Sequence, residues 1–440
     1  MKLIIRFAVP TFLGMLFQQF YNMVDAMIVG KFLGVDALAG VGSTGAINFV
    51  VLGFCMGICN GFAIPIAQMF GAKKESELRK YVANSTWLCI GFSVILTVAV
   101  VASCHQILVL LNTPEGIFSY AYDYIVIIFA GIPCIILYNM VASIIRSLGD
   151  SKTPVYFLAV SSVLNIVLDI LFILTFHMGV AGAAWATVLS QGVSGVVCLF
   201  YMGKRYPILR GTKAEWKIRT GYMGTLCGVG VPMGLQYSIT GIGSLVLQFA
   251  VNGLGATVVA GVTAAQKIMQ FTGCPFDTLG QTMAPYSGQN LGAGKLDRIG
   301  EGLKSANIIG FIISGVIFVA LVLFGKTLTL LFMDASATQA IQYAHQFMVV
   351  SSAGYCLLTL VNTVRFTIQG MGFSTFAKLC VRRQIYSAVT ASNRKKHQPL
   401  NTYVSFDEPV FVEGGDKGGY KEQTIEDMIF ADERDANPEK

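Results

Sequence analysis

Long apolar runs alternate with short charged stretches along most of this chain, and that pattern constrains the fold more than any other feature. A helix needs about 20 apolar residues to cross a bilayer, and many of the runs reach that length. Only 12% of the residues are charged, against about 25% in a soluble protein. A large soluble helical protein is therefore excluded. The runs predict ten spans, near 7–29, 38–69, 82–103, 120–145, 155–176, 181–202, 222–252, 257–286, 305–324 and 339–368. The first run holds Gln18, Gln19, Asn22 and Asp25 and precedes no small-residue cleavage site, so it reads as a retained span, not a signal peptide.

The connecting segments set the orientation. With the N-terminus inside, 17 Lys and Arg residues, Arg146 among them, fall on inside-facing segments, and only Lys31 and Lys326 fall outside. Basic residues accumulate in cytoplasmic loops, so the N-terminus and the C-terminal tail are expected in the cytoplasm of a bacterial cell with this chain in its inner membrane. The net charge of +7 reflects that bias and does not call for nucleic acid. Cys55 and Cys59 lie one helical turn apart, yet buried cysteine is usually a small hydrophobe. The four histidines are scattered. No metal site, nucleophile–base pair or other enzymatic motif is expected. Gly292 to Lys295 lacks the first Gly and the Ser/Thr of a phosphate loop. Energy for any transport should come from an ion gradient.

The first 150 or so residues recur at an offset near 221. Val9-Pro10 matches Val231-Pro232, Leu33-Gly34 matches Leu254-Gly255, and Gln68 to Ala72 matches Gln289 to Ala293. With a two-residue drift, Asn139, Ile145, Gly149 and Ser151 match Asn362, Ile368, Gly372 and Ser374. Fixed-offset similarity marks a duplicated unit. Both copies start on the same side, which makes the repeat parallel, with cargo handled between the halves. The domains expected are a six-helix lobe at 1–202, a cytoplasmic linker at 203–221, a four-helix lobe at 222–374 that is cut short, and an unrelated tail at 375–440. Basic residues from Lys378 to Lys396 open the tail, and 11 of the 24 acidic residues crowd into 407–439. Residues 413–440 read as disordered. The stretch from Phe376 to Val389 and from Arg394 to Ser405 resembles part of a sporulation-type RNA polymerase sigma factor. A splice of unrelated coding sequence, a tethered DNA-binding segment and an inner-leaflet anchor are the three readings of it.

Ionisable groups inside spans are functional candidates by default, because each costs about 2.5–3.5 kcal/mol on insertion scales. Asp25 lies on the first span, Asp169 on the fifth and Asp277 on the eighth. Asn165 and Asp169 share one helix face at i, i+4. Tyr21 and Asn22 lie about one turn from Asp25. A buried carboxylate pair with amide neighbours can share a proton. Each Asp can also be a satisfied structural group, and Asp277 is expected to pair with Lys267. Pro10 either kinks the first span or sits harmlessly in its first turn.

Together these residues resemble the multidrug and toxic compound extrusion (MATE) family over about residues 1–375. The most specific pieces are Tyr21 to Gly30, Arg146 to Pro154, Asn165 to Asp169, Gly179 to Ala184 and Gly288 to Lys295. The resemblance implies an all-α polytopic protein of two lobes. It also implies an antiporter that expels small organic compounds, often cationic, in exchange for H⁺ or Na⁺. It implies a cation site of Asp25, Asn165, Asp169 and Thr187, with Pro10 as the bending proline. Lys267, Asp277 and Arg365 are further cavity candidates. Family members have twelve helices, so a chain with ten is expected to be impaired. The expected partners are the cargo and the lipid bilayer, with no nucleic acid, and the chain is read as a monomer. The rival readings are a flippase for lipid-linked oligosaccharides, a membrane-tethered regulator using the tail, and an intramembrane enzyme. A flippase cavity should be strongly basic, and only Lys267 and Arg365 lie inside the predicted spans.

Overall fold

The computed structural model describes residues 1–372 except 112, together with 410–413 and 420–423. The first of its two compact units, Met1–Cys380, is all helix where described. Its helices are α1 (Lys2–Leu33), α2 (Val35–Ser43), α3 (Gly45–Gly71), α4 (Glu75–Leu110), α5 (Glu115–Ala130), α6 (Ile132–Ser147), α7 (Lys152–Ile170) and α8 (Gly179–Arg205). Then follow α9 (Thr220–Asn252), α10 (Ala256–Gly292), α11 (Leu296–Thr329), α12 (Thr338–Ala353) and α13 (Tyr355–Gly370).

The duplication reappears as geometry. The break between α1 and α2 is at Gly34, φ 92°, and that between α9 and α10 is at Gly255, φ 94°. Gly149 after α6 and Gly372 after α13 have φ 90° and 92°. Only glycine enters this left-handed region without strain. The pairs α5/α6 and α12/α13 are bent by 48° and 46°. Helices α9–α13 thus repeat the order α1–α6, with α10 continuous where α2 and α3 are separate, and both copies begin at the same end of the bundle.

Among the described residues, six helices are long and apolar enough to cross a membrane, and the two bent pairs raise the number to eight. The ten spans expected from sequence include two more, α9 and α10, which are long enough at 33 and 37 residues and carry polar side chains along their length. The reason is their place in the fold: Gln236, Asp277 and Gln281 face other helices or the cleft between the copies. Lipid-type surface lies elsewhere. Ile95 and Val98 of α4 and Val316 and Leu323 of α11 are all more than 60% exposed.

The copies meet most closely along α3 and α9. Gly57 and Gly61 of α3 oppose Gly234 and Gly230 of α9, and a Cβ on Gly61 would lie 2.4 Å from Gly230 Cα. Glycines four apart on each helix let the two backbones approach, the small-residue packing of membrane helices. At the end of the bundle that carries Lys73 and Lys295, each copy clasps the other. Gln68 Nε2 donates to Gly370 O at 3.1 Å, and Gln289 Nε2 donates to Ser147 O at 2.7 Å. Gln68 and Gln289 are repeat partners. Each satisfies a carbonyl left orphaned at the C-terminus of a helix in the opposite copy.

The segment between α8 and α9 is strapped to α4. Trp87 Nε1 donates to Trp216 O at 3.1 Å, and Arg219 N donates to Asn84 Oδ1 at 2.9 Å. Arg79 Nε lies 3.0 Å from Glu215. The Thr212 amide at its carboxylate, followed by the Ser76 and Arg79 side chains, holds the Glu215 carboxyl down at about 2. In the second unit, β1 (Val410–Glu413) pairs antiparallel with β2 (Tyr420–Gln423). This corrects the expectation of disorder at 420–423: Val410, Phe411, Val412 and Tyr420 are strand formers. The rest of the expected disordered stretch, and all the residues that resemble a sigma factor, lie outside the described residues.

Candidate functional site

Helix α1 carries Gly14, Gln18, Tyr21 and Asp25 on one stripe, at spacings of three and four. Gly14 leaves room for α7: a Cβ there would lie 3.1 Å from Val155 Cγ2. On α7, Asn165 and Asp169 are spaced by one turn and are 1% and 0% exposed. Asp25 is 9% exposed. Helix α8 supplies Thr187 and Gln191, again one turn apart. Where α1, α7 and α8 meet, these side chains converge. Asn165 Nδ2 donates to Thr187 Oγ1 at 3.4 Å. The Asp25 and Asp169 carboxyl groups lie against each other. The Tyr21 hydroxyl sits beside Gln18 and Gln191, within electrostatic reach of both carboxyls. Tyr124 of α5 is buried within electrostatic reach of both carboxyls. Just beyond Asp169 the α7 helix widens into a π turn, Leu171–Thr175, a distortion often found at functional sites.

The chemistry of this cluster is one-sided. Asp25 Oδ1, Asn165 Oδ1, both Asp169 oxygens and Gln191 Oε1 are buried and accept no hydrogen bond among the described residues. All five are acceptors. A carboxylate pair buried this way, with both oxygens of Asp169 and one of Asp25 unpartnered, costs several kcal/mol per charge. A positive partner removes that cost, either a proton shared between the carboxyls or a hard cation ringed by oxygen.

The other sequence candidates separate. Pro10 lies well inside α1, not in its first turn, and Thr11 Oγ1 donates to Phe7 O at 3.1 Å beside it. Asn22 is exposed, since one residue turns the helix by about 100° away from Tyr21. Asp277 does not pair with Lys267. Ten residues along one helix is about 15 Å, and Lys267 is exposed. Asp277 instead accepts from Asn362 Nδ2 at 3.0 Å, and Arg365 Nη2 donates to Asn362 Oδ1 at 2.7 Å. Arg146 is also corrected. It is no loop residue but the inward side of the last turn of α6, where Nη2 donates to Ser143 Oγ at 2.9 Å and Asn60 Oδ1 at 3.4 Å.

The family model described as MatE matches residues 10–171 and 232–378, one match for each copy. The chain belongs to the MatE family. The Bacillus subtilis protein named "Probable multidrug resistance protein YpnP" is 32% identical over 350 residues, covering 79% of this chain and 77% of the relative. "Probable multidrug resistance protein YoeA" of the same organism is 29% identical over 373 residues, covering 83% and 80%. A solved structure, the outward-facing conformation of a multidrug resistance MATE family transporter, superposes with a TM-score of 0.80 at 23% identity, covering 85% of this chain and 83% of that one. That likeness carries the fold. Membership makes this MatE chain a multi-pass membrane transporter of the multidrug efflux type, not an enzyme. Its family's transporters are ion-coupled antiporters.

Two members of the MatE cluster escaped sequence reasoning, Gln191 and Tyr124. The signal for Gln191 was present: it stands one turn beyond Thr187, as Asp169 stands one turn beyond Asn165. Tyr124 gave none, because it sits in an ordinary apolar face of α5.

Proposed function

We propose that this protein is a cation-coupled antiporter that exports small organic compounds, with Asp25, Asn165, Asp169 and Thr187 binding the coupling ion, H⁺ or Na⁺. The observation that carries this reading is the set of five buried, unpartnered acceptor oxygens on Asp25, Asn165, Asp169 and Gln191. A site that fits only a cation, set beside a cleft between two repeats, can exchange ion for cargo. Ion entry stabilises one arrangement of α1 against α7 and α8. Ion loss leaves two facing carboxylates that repel and favour another. Pro10 removes one backbone hydrogen bond from α1 and gives that helix a place to flex. The positive-inside pattern supports a cytoplasmic N-terminus in the bacterial inner membrane, and a monomer suffices because the site lies within one chain. Among the described residues the second copy has four spans against six in the first, which supports reduced activity.

The test uses inside-out vesicles energised by a pH or Na⁺ gradient and a panel of fluorescent organic compounds, cationic and anionic. The native chain should accumulate at least one compound, and Asp25→Asn should abolish that accumulation while binding of the compound persists. Accumulation undiminished in both Asp25→Asn and Asp169→Asn would overturn the site. In the same assay, a chain extended by a second copy of 152–202 should transport faster. Equal rates would remove the impairment from the account.

A further inference from the structure

The floor of the cleft between the copies is more basic than the sequence suggested, and this bears on what the exporter carries. A cavity of about 30 Å³ there is lined by Asn60 and Ala63 of α3, Arg146 of α6, Met233 of α9, Gln281 of α10 and Phe366 of α13. Arg146 reaches it from one copy. From the other copy, Arg365 packs over the ring of Phe366, a cavity wall residue, at 4.9 Å to the centroid, and Tyr237 lies within electrostatic reach of Arg365, Asp277 and Arg146. Asp277 is held by Asn362. Among the described residues, neither Arg146 nor Arg365 has a carboxylate within ion-pair distance. Arg146 leans only on Ser143 and Asn60. Arg365 leans on Asn362 and on the Gln236 amide, whose oxygen, once the amide is turned to suit its neighbours, accepts Nη1 at 3.0 Å and Nε at 3.1 Å. Two guanidinium groups against one carboxylate leave the floor net positive. The remaining carboxylates of the central region, Asp25 and Asp169, are secluded inside the first copy and belong to the coupling ion.

A guanidinium presents a planar fork of donors that matches a carboxylate or phosphate. Here amide and hydroxyl oxygens hold both forks in position, and Asp277, bridged to Arg365 through Asn362, offsets part of one charge and leaves Arg146 with no carboxylate partner among the described residues. We propose that the cargo bears an oxyanion, a carboxylate or phosphate, bound between Arg146 and Arg365, with Asp277 able to take a positive group on the same molecule. This inference rests on the antiport reading and deepens it. It replaces the cationic cargo that the family resemblance implied, because a cation without an anionic group would meet a net positive floor.

The experiment measures binding to the purified full chain in detergent by fluorescence anisotropy, with three probes. Fluorescein supplies a carboxylate, a fluorescent short-chain phosphatidic acid supplies a lipid phosphate, and ethidium supplies a cation alone. One of the two anionic probes should bind more tightly than ethidium, and which one it is separates soluble from lipid cargo. Arg146→Gln and Arg365→Gln should each weaken it about tenfold or more, the scale of a charged hydrogen bond, while Arg146→Lys and Arg365→Lys retain most of the affinity. Ethidium binding more tightly than both anionic probes would overturn the proposal on the native protein alone, whatever the variants do. So would native affinity for the anion in both Gln variants. Ethidium movement that depends on Asp25 would sink the oxyanion and leave the antiporter standing. Anion binding without any Asp25-dependent movement would do the reverse.

Discussion

Asp169 is the residue whose surroundings say most. Both its oxygens are buried, both lack a donor, and its nearest charged neighbour is another carboxyl. A structural aspartate would be met by an arginine, a lysine or backbone amides. The i, i+4 spacing of Asn165 and Asp169 and the cost of charge in a span made this pair legible in the sequence. The meeting with Asp25 was legible only through the family resemblance, since no local pattern says which spans touch. Gln191 extends the ring of oxygens, and its role is testable. Gln191→Leu should leave the fold intact and raise the H⁺ or Na⁺ concentration needed for half-maximal transport by roughly tenfold, about one hydrogen bond to a charged group. An unchanged ion dependence would place Gln191 outside the ion's shell. Arg146 teaches the opposite lesson. In sequence it stood among loop charges, and the side-chain direction on the last turn of α6 moved it to the heart of the molecule.

At the scale of elements, hydropathy located the long helices but not the breaks within them, at α2/α3, α5/α6 and α12/α13. Helices α9 and α10 are long spans with polar faces, and those faces are polar because they look into the cleft. The glycine pairs on α3 and α9 were visible as residues, but their partnership depends on which helices the repeat sets side by side. The paired glutamines at the basic end follow from the duplication itself: Gln68 and Gln289 occupy the same place in the two copies and close the same end twice. Each such bond contributes about 0.5–1.5 kcal/mol. Removing both with Gln68→Ala and Gln289→Ala should shift the closed–open equilibrium by roughly 1–3 kcal/mol, about five- to 150-fold. The readout is the labelling rate, by a water-soluble maleimide, of a cysteine placed at Ala67 on the cavity wall. Labelling no faster than in the native background would mean the clasp does not hold the end shut.

For the whole molecule, the account joins two charged regions of opposite sign. In the proposed function, carboxyls inside the first copy are the ion site, and guanidinium groups on the floor between the copies are the proposed cargo site. Both sit on helices that the repeat arranges around one cleft, so a change at α1 can reach the floor through packed elements. The fold class was readable from composition and repeat, whereas the polarity of the floor needed three-dimensional placement. The most direct measurement is infrared difference spectroscopy on the full chain, comparing spectra before and after the gradient ion, and then cargo, are added. The account predicts carboxyl bands that change as ion and cargo exchange and that vanish from the difference spectrum in Asp25→Asn and Asp169→Asn. Identical carboxyl bands through every addition would contradict it.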